Sequence, residues 1–339
     1  MSSASRVRSL LLLGAAFFLG AAVSRLLTTV ERPAPPSLVE TALVQVPCST
    51  TLEVTKPAAV VESPPTPSLR QQGSKAPSSS ATQRKPKLTD GCWGVYLDVG
   101  SNLGVQVRKV FEGEKYSGAP VLPYFNRHFG SPEQRRAPGR VCAIGFEANP
   151  VHGERLKKVE ACYQSKGWKT HFFVPTAVLN SDNQTIDFIL DTAAEAHYWG
   201  ASMFRYRESD SANVHKVPTI NLGRFIAEEV RGRLLPEGYD TPGPVYAKFD
   251  IEGAEYQTFG GMMMTGAVCD ITEASIEYHE RVISADEVAP AQTITRMMQD
   301  MSRLPSKYLG CTFMRMDRMD DESFLHDGQP PPDGCSALQ

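Results

Sequence analysis

The 339-residue chain has no CxxC or histidine-paired cysteine spacing, no stripe of lysine and arginine along an expected helix, and no third glycine in its turn near residue 100. Each absence excludes a class. Without paired ligand spacings a zinc module is excluded. With no basic stripe and a net charge of -3, nucleic acid is not an expected partner. Without the third glycine the turn departs from the dinucleotide fingerprint. The seven cysteines, Cys48, Cys92, Cys142, Cys162, Cys269, Cys311 and Cys335, are dispersed. Cys142 lies in a buried strand pattern and reads as a small core residue. An oxidising lumen would permit pairs among the others. Their connectivity is not legible, and an odd count leaves at least one unpaired within the chain.

Residues 29–89 have few aromatics and no helical period, but abundant Pro, Ser, Thr and Ala, including Pro35-Pro36 and Ser78-Ser79-Ser80. Such a stretch cannot bury enough surface to offset chain entropy and reads as a disordered stem. Before it, Arg6 and Arg8 precede an uncharged run over residues 10–23, and Arg25 stands before Leu26-Leu27. If Arg25 snorkels, residues 10–27 make a helix of about 27 Å, enough for a thin secretory-pathway bilayer. The expectation is a signal anchor over residues 1–28, single-pass type II in the Golgi membrane, with the folded domain luminal. The rivals are a transit peptide and a signal peptide cleaved near Gly20-Ala21-Ala22. Residues 90–320 then form one α/β domain, and residues 321–339 a Pro/Asp/Gly tail without a reading.

In that domain Asp98-Val99-Gly100-Ser101-Asn102-Leu103-Gly104 follows an apolar run and precedes a helix-like stretch over residues 105–111. This reads as strand, glycine turn, helix, with Gly100 and Gly104 free to take unusual torsions and to let a ligand approach. A second strand, residues 141–146, ends in Glu147-Ala148-Asn149-Pro150, which sets a carboxylate where a ribose diol would lie. Asp98 at the strand tip would repel a pyrophosphate but suits a cation. A sulfonium ligand with an amino group, S-adenosylmethionine, matches that polarity better than NAD.

These motifs, with Ala247-Lys248-Phe249-Asp250-Ile251-Glu252-Gly253-Ala254-Glu255, resemble those of FkbM-type S-adenosylmethionine-dependent methyltransferases. The resemblance covers roughly residues 93–311. It implies a class I methyltransferase (Rossmann-like) fold, an α/β doubly wound, mostly parallel seven-stranded sheet. It also implies a donor site of Asp98, Gly100, Ser101, Asn102, Gly104, Glu147 and Asn149. Asn221 departs from the family, which commonly has Asp there.

Along the domain, residues 113–139 read as an insertion, a lid or irregular packing at the substrate mouth. Residues 174–179 and 186–190 read as a hairpin with the sequon Asn183-Gln184-Thr185 at its tip. Residues 193–214, with Tyr198 and Trp199, form a second long loop. Asn221 can cap a helix over residues 222–230. Residues 244–250 and 273–278 are strands four and five. In strand four, Val245, Ala247 and Phe249 share one face, while Lys248, Asp250 and Glu252 share the other. Glu277 and His279 likewise crowd the end of strand five.

Methyl transfer to a hydroxyl needs acceptor oxygen, methyl and sulfur in line, and a base within reach of the acceptor. The candidate catalytic residues are Asp250, Glu252, His279 and Lys248, with a structural Lys248–Asp250 ion pair as the plain alternative. Asp250, Glu252, Glu277 and His279 are also ligand types for a divalent ion, but no metal is expected. The expected function is O-methylation of a glycan or glycoconjugate hydroxyl by S-adenosylmethionine; the alternative is a membrane-tethered, catalytically inactive scaffold. Oligomeric state is not legible.

Overall fold

The computed structural model describes residues 84–191, 198–204 and 213–335. The expected anchor and nearly all of the stem, with Cys48, lie outside them. Among the described residues no helix is long and apolar enough to cross a membrane.

Strands β1 (Gly94–Val99) and β2 (Val141–Phe146) are near-continuous apolar runs and are buried along their whole length. Such runs suit a sheet covered on both faces. With β3 (Lys169–Phe173), β7 (Val245–Phe249), β8 (Glu273–Ile276) and β9 (Arg315–Asp317) they form a six-stranded sheet of order β3-β2-β1-β7-β8-β9. Every neighbouring pair is parallel. The chain winds outward from β1 to β3, then returns to lay β7 on the other side of β1. That reversal opens a crevice at the carboxyl ends of β1 and β7.

The sheet has six described strands rather than the expected seven, and the expected hairpin is not one. Strands β4 (Ala177–Leu179) and β5 (Thr185–Ile189) do not pair with each other. Both flank β6 (Val214–Asn221), parallel and antiparallel respectively, in a separate three-stranded sheet. The reason lies in β5, whose Thr185 and Asp187 face solvent, so it cannot enter a sheet covered on both sides. Asn183 is exposed on the β4–β5 turn, in the left-handed region at φ 55°.

On one face of the large sheet, Leu97, Val99, Ala247 and Phe249 pack against Phe225, Phe259, Met262 and Met298. These come from α5 (Leu222–Phe225), α6 (Glu255–Thr265) and α7 (Ala285–Arg303). On the other face Tyr96 and Tyr246 pack against α1 (Val105–Phe111), α2 (Leu122–Phe129) and α4 (Gly153–Ser165). The insertion at residues 113–139 is therefore neither lid nor irregular. It forms a 3-10 turn, α2 and α3 (Pro132–Arg136). Phe125 meets Tyr96 edge-on at 5.0 Å, and Arg127 and His128 bond Glu273 at the start of β8. Tyr124, Phe125 and Phe129 are spent on the sheet face, and Tyr116 on the tail.

All of α1 is buried, including Arg108 and Lys109. Charges can be buried only where partners meet them, and the C-terminal tail supplies these. Arg108 bonds Glu112 on its own helix, then Asp327 at 2.6 Å and the carbonyls of Gln329 and Pro330. Lys109 pairs with Asp321 at 3.0 Å. Asp327 also accepts from Tyr116 and Arg155. A disulfide, Cys162–Cys335, fastens the tail to α4. Cys142 is not a free core thiol. It lies in β2 beside the entry to β1 and bonds Cys92 across a Cα separation of 5.7 Å, and Cys269 bonds Cys311.

Asp327→Ala would remove the buried carboxylate that Arg108, Arg155 and Tyr116 share, leaving Arg108 only Glu112 as counter-charge, and a loss of about 3–5 kcal/mol is expected. Asp300→Ala, which removes an exposed pair with Arg303, should stay within about 0.5 kcal/mol. Equilibrium denaturation of the two variants measures the contrast.

Candidate active site

Gly100 leaves β1 with φ +90°, and a Cβ there would stand 1.8 Å from the Asp250 carbonyl oxygen. Gly104 begins α1 at φ +77°, and its Cβ would press Leu156 Cδ2 at 2.8 Å. Both positions require glycine, since the chain itself makes these close approaches. Gly100 also lines the cavities of the crevice, where a ligand could approach it.

Asp98 is fully buried. Its Oδ1 accepts from the Tyr96 hydroxyl at 3.1 Å, while Oδ2 has no partner. Burial pushes its carboxyl up to about 6, against the opposing pull of Lys248. Ser101 Oγ donates to the Asp98 carbonyl. Asn102 takes φ 48°, which turns its N–H onto Glu147 Oε2 at 2.5 Å and leaves its own buried Oδ1 without a partner. Glu147 Oε1 accepts from the Asn149 N–H at 2.7 Å. Glu147 thus ties together the turns after β1 and β2. Burial raises it to about 7, although both backbone donors favour the ionised form. The Asn149 side chain points elsewhere. Its Oδ1 caps the 3-10 turn Pro150–His152 through Val151 N–H at 3.0 Å, so it supports the site rather than facing it.

Two cavities meet at these turns. One, of about 70 Å³, sets Phe146, Ala148, Leu179 and Phe188 beside Glu147. The other is a polar cleft of about 360 Å³. Gly100, Asn102, Trp199, Asp250 and Glu252 line both. The polar cleft carries seven acidic residues against two cations, Lys248 and Arg281. Among the acids, Asp321 and Glu322 come from the tail, which the sequence left unread, and Asp320 immediately precedes it. Burial raises the Asp320 carboxyl to about 6, helped by the charges of Glu277 and Glu322. No local pattern announces these residues; the ion pairs of α1 deliver them.

The candidate catalytic residues converge on the polar cleft. Lys248 Nζ donates to Asp250 Oδ2 at 2.7 Å and to the Gly100 carbonyl at 3.2 Å. Burial opposes its charge, but Asp250 and Asp98 override it and raise the ammonium above its ordinary pKa. Lys248 is a fixed cation and cannot serve as the base. Glu252 stands at φ 52°, its carbonyl held by Ser202 Oγ at 2.8 Å. His279 is buried. Its Nδ1 meets Glu255 Oε1 at 2.8 Å, and Glu255 is anchored in turn by the Ile251 and Gly253 N–H groups. Burial alone would lower His279, but Glu255 and Glu277 raise it to about 11. A proton held that tightly removes His279 from the candidate bases. Glu255, which the sequence reading gave no role, is the residue that orients it. Asn221 lies apart, accepting from Arg224 N–H and donating to the Asn180 carbonyl. The second bond needs an amide donor that Asp lacks.

Because Asp98 and Glu147 have raised pKa values, these two sites bind more protons in the folded chain than in the unfolded one between about pH 4 and their folded values. Their contribution to stability should fall as pH rises through that window and level off above it, against the opposite slope of carboxylates held low, such as Glu112 and Glu273. Glu147→Gln should make the fall shallower, as urea denaturation at stepped pH would measure.

Neither curated proteins nor solved structures include a match to the chain. The family model for the methyltransferase FkbM domain matches residues 98–304, which run from Asp98 at the tip of β1 through every residue discussed at the crevice except those of the tail. Parallel doubly wound sheet, crevice at β1 and β7 and family match agree, and the chain belongs to the FkbM-domain methyltransferases.

Proposed function

We propose that the chain transfers the methyl group of S-adenosylmethionine to a hydroxyl oxygen of a neutral glycan or glycoconjugate in the secretory pathway. The observation that carries this reading is the unsatisfied buried acceptor Asn102 Oδ1, on the wall common to both cavities and beside Glu147, with a second unsatisfied acceptor, Asp98 Oδ2, buried at the end of β1 behind that wall. Buried acceptors without partners are costly, and a ligand rich in donors relieves them. S-adenosylmethionine fits: Glu147 would take the ribose hydroxyls, the apolar side chains Phe146, Leu179 and Phe188 the adenine, and Asp98 the aminoacyl ammonium, directly or through water.

The donor supplies a methyl carbon on a positively charged sulfur. The acceptor oxygen bonds that carbon as the carbon–sulfur bond breaks, leaving a thioether. Asp250 and Glu252, on the wall common to both cavities, accept the hydrogen bond of the acceptor hydroxyl and receive its proton. Lys248 keeps Asp250 in place and Ser202 does the same for Glu252. The acidic excess of the cleft disfavours sulfated or carboxylated acceptors, since like charges in one cleft repel. The luminal setting is supported by the three disulfides among the described residues, which persist in oxidising compartments. The exposed Asn183 sequon and the expected anchor point the same way.

Calorimetric titration of S-adenosylmethionine into the full chain in detergent is the test, with Asp98→Ala and Glu147→Ala beside it. Saturable binding weakened at least about tenfold in each variant, or ~1.4 kcal/mol, is expected. A folded wild type that takes up no donor would sink the reading. Where binding is found, labelled-methyl uptake into neutral glycans, and not into their sulfated forms, identifies the acceptor class.

A further inference from the structure

His279 Nε2 is a buried nitrogen set beside Asp250, Glu252 and Glu277 of the cleft wall. The side chain is 1% exposed, its other nitrogen is fixed by Glu255, and Nε2 forms no hydrogen bond. Yet three carboxylate oxygens surround it: Glu277 Oε1 at 3.1 Å, Glu252 Oε1 at 3.6 Å and Asp250 Oδ1 at 3.8 Å. The nitrogen points among these oxygens and at none of them. Asp250, Glu252 and His279 offer ligand atoms that all lie within 4.8 Å of one another.

We propose that Asp250, Glu252 and His279 bind one divalent transition-metal ion, such as Mn²⁺ or Zn²⁺, which displaces the Nε2 proton of His279 to solvent, with Glu277 alongside and an open face toward the polar cleft. With metal–ligand bonds near 2.1 Å, neighbouring ligand atoms sit roughly 3.0 Å apart in an octahedron and 3.4 Å in a tetrahedron. Glu277 lies in that range, and the Glu252 and Asp250 oxygens stand a few tenths of an ångström beyond it, within reach of a small inward turn of each carboxylate. One imidazole among carboxylates suits a first-row transition metal better than the all-oxygen shells of Mg²⁺ or Ca²⁺. Glu255 on Nδ1 is the outer carboxylate that such histidines use to fix their ring and tautomer. Lys248 takes only Oδ2 of Asp250, which leaves Oδ1 to turn toward the ion. A second acidic group, Glu277 with Asp320 and Glu322, has no histidine and two exposed members, and it serves as the control. The sequence had led to no expectation of a metal.

The inference rests on the methyl-transfer reading and changes one part of it. Asp250 and Glu252 would hold an ion that binds the acceptor oxygen, and the acceptor's proton would leave to solvent through the open cleft.

The experiment is titration of Mn²⁺, and separately Zn²⁺, into the chelator-treated full chain, read by calorimetry and, for Mn²⁺, by electron paramagnetic resonance. One ion per chain is expected. Glu252→Gln and Asp250→Asn should each weaken binding at least tenfold, Glu255→Gln ten- to a hundredfold, and Glu322→Gln less than threefold. No binding by the wild type, or binding lost in Glu322→Gln but kept in Glu252→Gln, overturns the proposal. Donor titration on the same samples separates the two readings. Donor uptake without metal uptake leaves methyl transfer standing and removes the ion; metal uptake without donor uptake does the reverse.

Discussion

The crossing of Gly100 over Asp250 is the constraint from which the site follows. Two parallel strands can bring their ends this close only if one has no side chain at the contact, and at Gly100 a Cβ would fall within bonding distance of the Asp250 carbonyl oxygen. That contact fixes β1 and β7 at the topological switch. Asp98 and Lys248, paired in register, emerge on one face, and Asp250 is turned toward the crevice. The Gly100 carbonyl takes Lys248, and Lys248 takes Asp250. A shift of one strand end would unmake the whole series.

A second dependence runs through α1. The helix is too buried for Arg108 and Lys109 to reach water, so their charges require the tail. In answering them the tail crosses to the cleft and sets Asp321 and Glu322 on its rim. A requirement of folding thus adds to the electrostatics of the site. The same tail is fastened at its far end by Cys162–Cys335.

The sequence disclosed the parts of this arrangement governed by local rules. The strand–turn–helix around Gly100, the face alternation of β7 and the capping role of Asn221 depend on neighbours a few residues away, and the structure has them where the pattern put them. Non-local dependences were not legible. Nothing near Thr185 says that β5 will pair with β6 instead of β4, because the decision belongs to a strand some thirty residues on. The contact behind the glycine turn was hidden for a related reason: a sequence shows that Gly100 tolerates close approach, but not that the Asp250 carbonyl makes one. Glu255 was overlooked although it belongs to the matching motif, because its partner His279 lies 24 residues away. Lys248 and His279 were candidate bases by residue type, and only their surroundings, Asp250 and Asp98 for one, Glu255 and Glu277 for the other, show why they hold their protons.

The electrostatics of the crevice are unbalanced in a definite sense. Buried Asp98 and Glu147 have raised pKa values, Asp320 is raised beside its acidic neighbours, and His279 is raised among carboxylates. Each shift records a place where negative charge is uncomfortable or where a positive charge is held tightly. Lys248 offsets part of this. The remainder is a standing cost to the ligand-free fold that any bound cation reduces. A ligand that binds only the folded state raises stability according to its concentration and affinity. Part of the affinity of this crevice for a cation therefore comes from charge repulsion already present in the fold, and a neutral analogue of the same shape would forgo that part.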